Sequence, residues 1–113
     1  MEDCLQLHVY APINSSELLP VLVYIHGGSF WAGWGGDPIF WGDYFVNTTQ
    51  DTILVAINYR LGALGFLVTP ELSGNYGFLD QQLALRWVQE VRNLNLFIQF
   101  VLRYLSEKYI LEY

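Results

Sequence analysis

A continuous apolar run, Val21-Leu22-Val23-Tyr24-Ile25, stands between Pro20 and the tripeptide His26-Gly27-Gly28. It is short and does not alternate, which is the pattern of a strand covered on both faces, as in the sheets of α/β proteins. A second run of this kind, Ile53-Leu54-Val55-Ala56-Ile57, lies within a strand expected over Thr52–Tyr59. An earlier segment, Leu5–Tyr10, alternates instead. Leu5, Leu7 and Val9 face one way and Gln6, His8 and Tyr10 the other, the period of a half-buried strand. Pro12 and Asn14-Ser15-Ser16-Glu17 make the turn after it. Between the two apolar runs, Gly27 to Gly42 is rich in glycine and aromatic residues and reads as a loop that packs or lines a cavity.

The period changes at Phe78. Leu79, Leu83, Trp87 and Val91 recur every four residues, with Ala84 and Val88 beside them, forming one face of an amphipathic helix. This reading places Asp80 in the first turn, where the helix dipole favours a carboxylate. Arg60 to Gly77 reads as a connection punctuated by glycines. Beyond residue 91, Leu94, Ile98, Val101 and Leu105 are spaced like a helix seam, widened by Phe97, Phe100 and Tyr104. Asn95, Gln99 and Arg103 interrupt it, so a helical tail over 92–113 is expected and a bilayer span is not. The fold class is α/β: early strands plus a first helix, followed by that tail.

A chain of 113 residues is one small domain at most. Its 53% hydrophobic share excludes a disordered tail, and its 14% charged share suits a deeply buried domain or a piece of something larger. Five Lys+Arg in a chain of net charge -6 build no basic face, which excludes a nucleic-acid partner held through phosphates. One cysteine, Cys4, excludes an internal disulfide framework, and two histidines, His8 and His26, do not make a multi-His metal site. The acidic start, Glu2-Asp3, carries no apolar secretory core. Asn14-Ser15-Ser16 and Asn47-Thr48-Thr49 fit the N-glycosylation acceptor pattern, a match that also arises by chance.

The strongest local signal for chemistry is His26-Gly27-Gly28-Ser29, directly after a strand. In open α/β sheets ligands bind beyond the carboxyl ends of strands, and glycines there let backbone N–H groups approach an anion. Two such groups can hold the oxygen that turns negative when an ester carbonyl is attacked. The alternative is a tight glycine turn with no ligand, and the tripeptide alone leaves both open. His26 suits a buried loop anchor better than a general base, and His8 is expected at the surface. Arg60 and Asp80 read as an acid/base pair or, more simply, as an ion pair tying the connection to the helix. No phosphate-binding glycine loop is present. None of the five serines, Ser15, Ser16, Ser29, Ser73 and Ser106, lies in a Gly-x-Ser-x-Gly frame; Ser29 follows Gly27 but precedes Trp31.

Several blocks together resemble the N-terminal part of the type-B carboxylesterases, the family that includes cholinesterases, juvenile hormone esterases and the non-enzymatic neuroligins. They are Glu2-Asp3-Cys4-Leu5, Leu7-x-Val9-Tyr10-x-Pro12 and Pro20-Val21-x-Val23-x-Ile25-His26-Gly27-Gly28. Two more follow in the same order: Asn58-Tyr59-Arg60-Leu61-Gly62-x-Leu64-Gly65-Phe66-Leu67, and Gly74-Asn75-Tyr76-Gly77-x-Leu79-Asp80-Gln81 continuing to Ala84-Leu85-x-Trp87-Val88-Gln89.

The resemblance implies a partial α/β-hydrolase sheet over residues 1–91, with a divergent segment over 92–113. It implies a Ser-Glu(or Asp)-His triad, with the Gly28 and Ser29 N–H groups as oxyanion donors and Gly27 supporting the loop. It places Phe30, Trp31 and Trp34 near a substrate gorge, makes Arg60–Asp80 an internal ion pair, and matches Cys4 to a cysteine that usually bonds an upstream cysteine; with no second cysteine in these residues, Cys4 is expected to be free. The implied ligand is a small carboxylic ester, with no cofactor and no metal. Where the family continues toward its nucleophile, this chain reads Val91-Arg92-Asn93-Leu94-Asn95 and departs from the pattern. The expectation is therefore a truncated chain without a complete triad, inactive by itself. The other readings are a neuroligin-like adhesion module with an unidentified protein partner, or a gene-model fragment of an active secreted esterase. Family members are mostly secreted or lumenal, so the compartment stays open.

Overall fold

The run Ile53-Leu54-Val55-Ala56-Ile57 forms a strand in which every residue is buried, and the other elements are laid around it. The computed structural model describes residues 3–13, 18–40 and 42–93. In chain order these hold β1 (Leu7–Tyr10), β2 (Val21–Ile25), a 3-10 turn (Pro38–Phe40), α1 (Asp43–Thr49), β3 (Ile53–Ile57), α2 (Gly62–Phe66) and α3 (Tyr76–Asn93). The tail expected to be helical lies outside the described residues from 94 onward, as does the Asn14 acceptor site.

The sheet order is β1-β3-β2. β1 runs antiparallel to β3 with Leu7 opposite Ile57, and β2 runs parallel to it with Val21 opposite Ile53 and Ile25 opposite Ile57. A parallel pair needs a crossover, and the glycine-aromatic loop with α1 supplies it. α1 is the element that the sequence pattern concealed, and the Asn47 acceptor site lies exposed on it.

Strand alternation sorts the sheet into two faces. Leu7, Ile53, Val55 and Ile57 meet Ala84 and Val88 of α3, with Val9, Val21, Val23, Trp87 and Val91 packed around them. On the other face, Leu54 and Ala56 are covered by the crossover. Gly35 passes so near β3 that a Cβ there would meet the Ile57 carbonyl oxygen at 2.7 Å, and its N–H donates to Asn58 Oδ1 at 2.6 Å. The same crossing corrects the reading of His8. It is half-buried, with its ring 6.4 Å from that of Trp34 and 6.5 Å from that of Tyr10.

Three further expectations change. β2 is not covered on both faces: it is an edge strand whose covered side faces α3 through Val21 and Val23, which leaves Leu22 on the other side 48% exposed, while Ile25, on the covered side but at the last residue of the strand, is 39% exposed. The connection after Arg60 contains the short helix α2. α3 starts at Tyr76, so its first turn holds no acid and Asp80 sits one turn further in. There the inward position belongs to Asp80, and the seam runs Asp80–Ala84–Val88 at helical spacing while Leu79 stays 53% exposed. Among the described residues no helix is long and apolar enough to cross a membrane.

Asp80 faces inward because Arg60 meets it there. Its side chain is 4% exposed and receives three N–H donors: Arg60 N and Nε at Oδ2 (3.0 and 2.8 Å) and Arg60 Nη2 at Oδ1 (2.7 Å). The Asp80 carboxylate holds the Arg60 pKa above its ordinary value. The arginine, at 37% exposure, still touches water, so the two partners are not equivalent. Removing Arg60 strands a buried carboxylate, whereas removing Asp80 leaves a cation that can turn to solvent.

Ile57→Val deletes one methyl from a fully buried site and is expected to lower unfolding free energy by about 0.5–1.5 kcal/mol, against less than about 0.5 for Leu22→Ala at the exposed edge. Urea titration followed by circular dichroism measures both. Arg60→Ala is expected to cost more than Asp80→Ala in the same titration, with the arginine deletion reaching about 3 kcal/mol; equal losses would remove the asymmetry just described.

Candidate functional site

Parallel pairing brings the ends of β2 and β3 to the same side of the sheet. His26 leaves β2 there, and Asn58-Tyr59-Arg60 leaves β3. The Tyr59 hydroxyl donates to the His26 carbonyl at 3.0 Å, and the two rings stack at 4.6 Å and 19°. Burial raises the Tyr59 pKa above its ordinary value, so the hydroxyl keeps its proton. His26 is 3% exposed, and its Nδ1 lies 2.9 Å from the Gly27 carbonyl. It is the buried foot of the loop, packed on Tyr59.

From this foot the backbone turns outward. Gly28 has φ 120, Ser29 φ 54 and Phe30 φ 61. The Gly28 carbonyl accepts from the Trp31 and Ala32 N–H groups at 3.0 and 3.2 Å, closing the turn so tightly that a Cβ on Gly28 would strike the Ala32 carbonyl oxygen. Ser29 and Phe30 are both left-handed, which costs about 1–2 kcal/mol for each residue carrying a Cβ.

Contacts of comparable size offset that strain. The Phe30 carbonyl accepts from the Gly62 N–H of α2 at 2.7 Å. The Phe30 ring lies 5.0 Å from that of Phe66 and 5.5 Å from that of Phe78, and the last two are 5.4 Å apart. Such aromatic pairs contribute about 0.5–1.5 kcal/mol each beyond area burial.

Gly27, Gly28 and Ser29 are all exposed, and neither the Gly28 nor the Ser29 N–H finds an acceptor among the described residues. Phe30 and Trp31 accompany them: Phe30 is 47% exposed, and Trp31, 80% exposed, lies over Gly62. Trp34 does not join this group and packs its ring edge on His8 of β1. Arg60 and Asp80 lie at the same sheet end as a paired ion bridge beneath α2, and the Arg60 carbonyl rests against the Gly65 and Gly77 backbones. Cys4 is a half-buried free thiol. Tyr59, Gly62, Phe66 and Phe78 are the supporting residues that sequence reasoning did not single out; their partners stand too far away in the chain for any spacing rule. A separate cleft lined by Tyr10, Ile13, Asp43, Val46 and Asn47 shares no residue with the loop. Backbone N–H groups on exposed residues, with no acceptor among the described residues and at the carboxyl ends of parallel strands, can hold an oxygen that carries negative charge.

Comparison with known proteins agrees with this frame. The pattern of the Carboxylesterase family matches residues 1–97. A protein called "Crystal protein" from Dictyostelium discoideum is 53% identical over 91 residues, which are 79% of this chain and 16% of that protein. Para-nitrobenzyl esterase from Bacillus subtilis (strain 168) is 45% identical over 93 residues, 79% of this chain and 19% of the relative. Cholinesterase from Mus musculus is 44% identical over 99 residues, 85% of this chain and 16% of the relative. A solved thermophilic PNB esterase superposes with a TM-score of 0.74 at 44% identity, over 80% of this chain and 19% of that one. The chain thus spans under a fifth of the length of each of these relatives. With its early strands, first long helix and glycine loop arranged as a partial α/β-hydrolase sheet, the chain belongs to the carboxylesterase family.

Proposed function

We propose that this chain carries the oxyanion-binding part of a carboxylic ester hydrolase site. The Gly28 and Ser29 N–H groups hold the carbonyl oxygen of a small ester as it turns negative, Gly27 gives the loop room, and Phe30 and Trp31 border the acyl or alcohol group. The observation that carries this is that the Gly28 and Ser29 N–H groups, on exposed residues of a strained loop at the end of a parallel strand, find no acceptor among the described residues. Donors of this kind are aimed before charge develops, and losing one typically costs about 10²–10³ in rate. Ser29 serves through its backbone N–H, as a glycine would.

Binding an oxyanion is one half of acyl transfer. The other half needs a nucleophile with a base to take its proton, and none of the five serines stands in the required turn. Neither histidine suits the part of base: His26 is buried against Tyr59, and His8 packs on Trp34 on β1. By itself, then, the 113-residue chain binds ester oxygen weakly and forms no acyl-enzyme. No complete triad is found among these residues, which span under a fifth of each relative's length.

A p-nitrophenyl butyrate assay on the purified chain tests this. Expected is hydrolysis no faster than buffer with an unrelated protein. Saturable hydrolysis, lost in Gly28→Ala, would contradict it.

A further inference from the structure

The loop's outward strain and its support come from different parts of the chain, and that division is informative. Phe30, Phe66 and Phe78 sit on the loop, on α2 and on α3 respectively. Phe30 and Phe78 are both 47% exposed, so core filling does not explain why these rings are together. They meet instead in specific ring geometry: tilted at 57° between Phe30 and Phe66, and edge-on at 73° between Phe30 and Phe78 and 83° between Phe66 and Phe78. The residue they grip is left-handed, and its carbonyl takes the Gly62 N–H. A φ of 61 is one that a residue with a Cβ rarely adopts without such contacts, and a change in it would turn the Ser29 and Gly28 N–H groups, one and two residues before it.

We propose that Phe66 and Phe78 are positioning residues for the oxyanion loop: the three-ring cluster clamps Phe30 in its left-handed conformation and so aims the Gly28 and Ser29 N–H groups. The proposal rests on the oxyanion reading of those groups. The path from α3 is short. Asp80 fixes Arg60, the Arg60 carbonyl lies against Gly65 and Gly77, and Phe78 follows Gly77 directly. The helix that covers the sheet therefore also sets the loop.

Hydrogen exchange of the Gly62 N–H in the full 15N-labelled chain reads the clamp without any ligand. The reference is the Ile53 N–H, bonded to the Pro20 carbonyl at 2.9 Å at the start of β3. Phe78→Leu and Phe66→Leu are each expected to speed Gly62 exchange about tenfold relative to Ile53, and Phe78→Tyr, which keeps the ring, to stay within about twofold. Equal acceleration at Gly62 and Ile53, unchanged Gly62 exchange in both leucine variants, or a tyrosine variant that behaves like leucine would each overturn the proposal. If Phe78→Leu does not fold, Phe66→Leu decides the result. Failure of the oxyanion reading would show separately, as an absence of anion binding by a chain whose Gly62 exchange still responds to the rings.

Discussion

Three N–H donors on one buried carboxylate fix the relation between the sheet and everything beyond its carboxyl end. Asp80 stands on α3, and all three donors come from Arg60, three residues past β3. A buried ion pair adds little net stability over an apolar contact of the same size, but it has a strong preference for one geometry. That geometry sets the rotation of α3, so that Ala84 and Val88 land on Leu7, Ile53, Val55 and Ile57. It also holds the Arg60 backbone where α2 begins, and with it the Gly62 N–H that reaches the loop. Removing the pair would loosen the sheet-helix contact and the loop together.

The loop shows why the glycine turn is more than a turn. A tight reversal accounts for Gly28, whose Cβ would collide with Ala32. It does not account for two further left-handed residues that both carry side chains, Ser29 and Phe30. Strain of this kind persists only where surrounding contacts over-determine it, and it concentrates at functional positions. Here the contacts are the Tyr59 hydroxyl on the His26 carbonyl at one end and the Gly62 N–H with two phenylalanine rings at the other. Between those anchors the Gly28 and Ser29 N–H groups are left pointing at no protein acceptor among the described residues.

Much of this was legible in the residues, and the rest was hidden for identifiable reasons. The apolar run Val21–Ile25 is a strand at those same limits, and Ile53–Ile57 is the core of the second. Hydrophobic runs report strand identity well, but they do not report what covers them, so the exposed Leu22 of an edge strand read like a buried one. α1 is concealed because Asp43–Thr49 is too short to show a period and follows a glycine-rich stretch. The start of α3 is concealed because Tyr76-Gly77 looks like a breaker, although Gly77 is needed for close approach to the Arg60 carbonyl. His8 alternates as a surface residue should, and only the crossover packing over it makes it half-buried. At the site, the glycine motif marks where the strained loop lies, while the rings that pack on it are more than thirty residues away and carry no local signal.

Titrating the 15N-labelled chain with a small phosphonate monoanion, a tetrahedral mimic of the attacked ester, tests most directly the proposed cradle of Gly28 and Ser29 N–H groups for a negatively charged oxygen. Expected are saturable downfield shifts of the Gly28 and Ser29 amides, with the Ile53 amide unmoved. Saturation at other amides with neither of these two responding would contradict it.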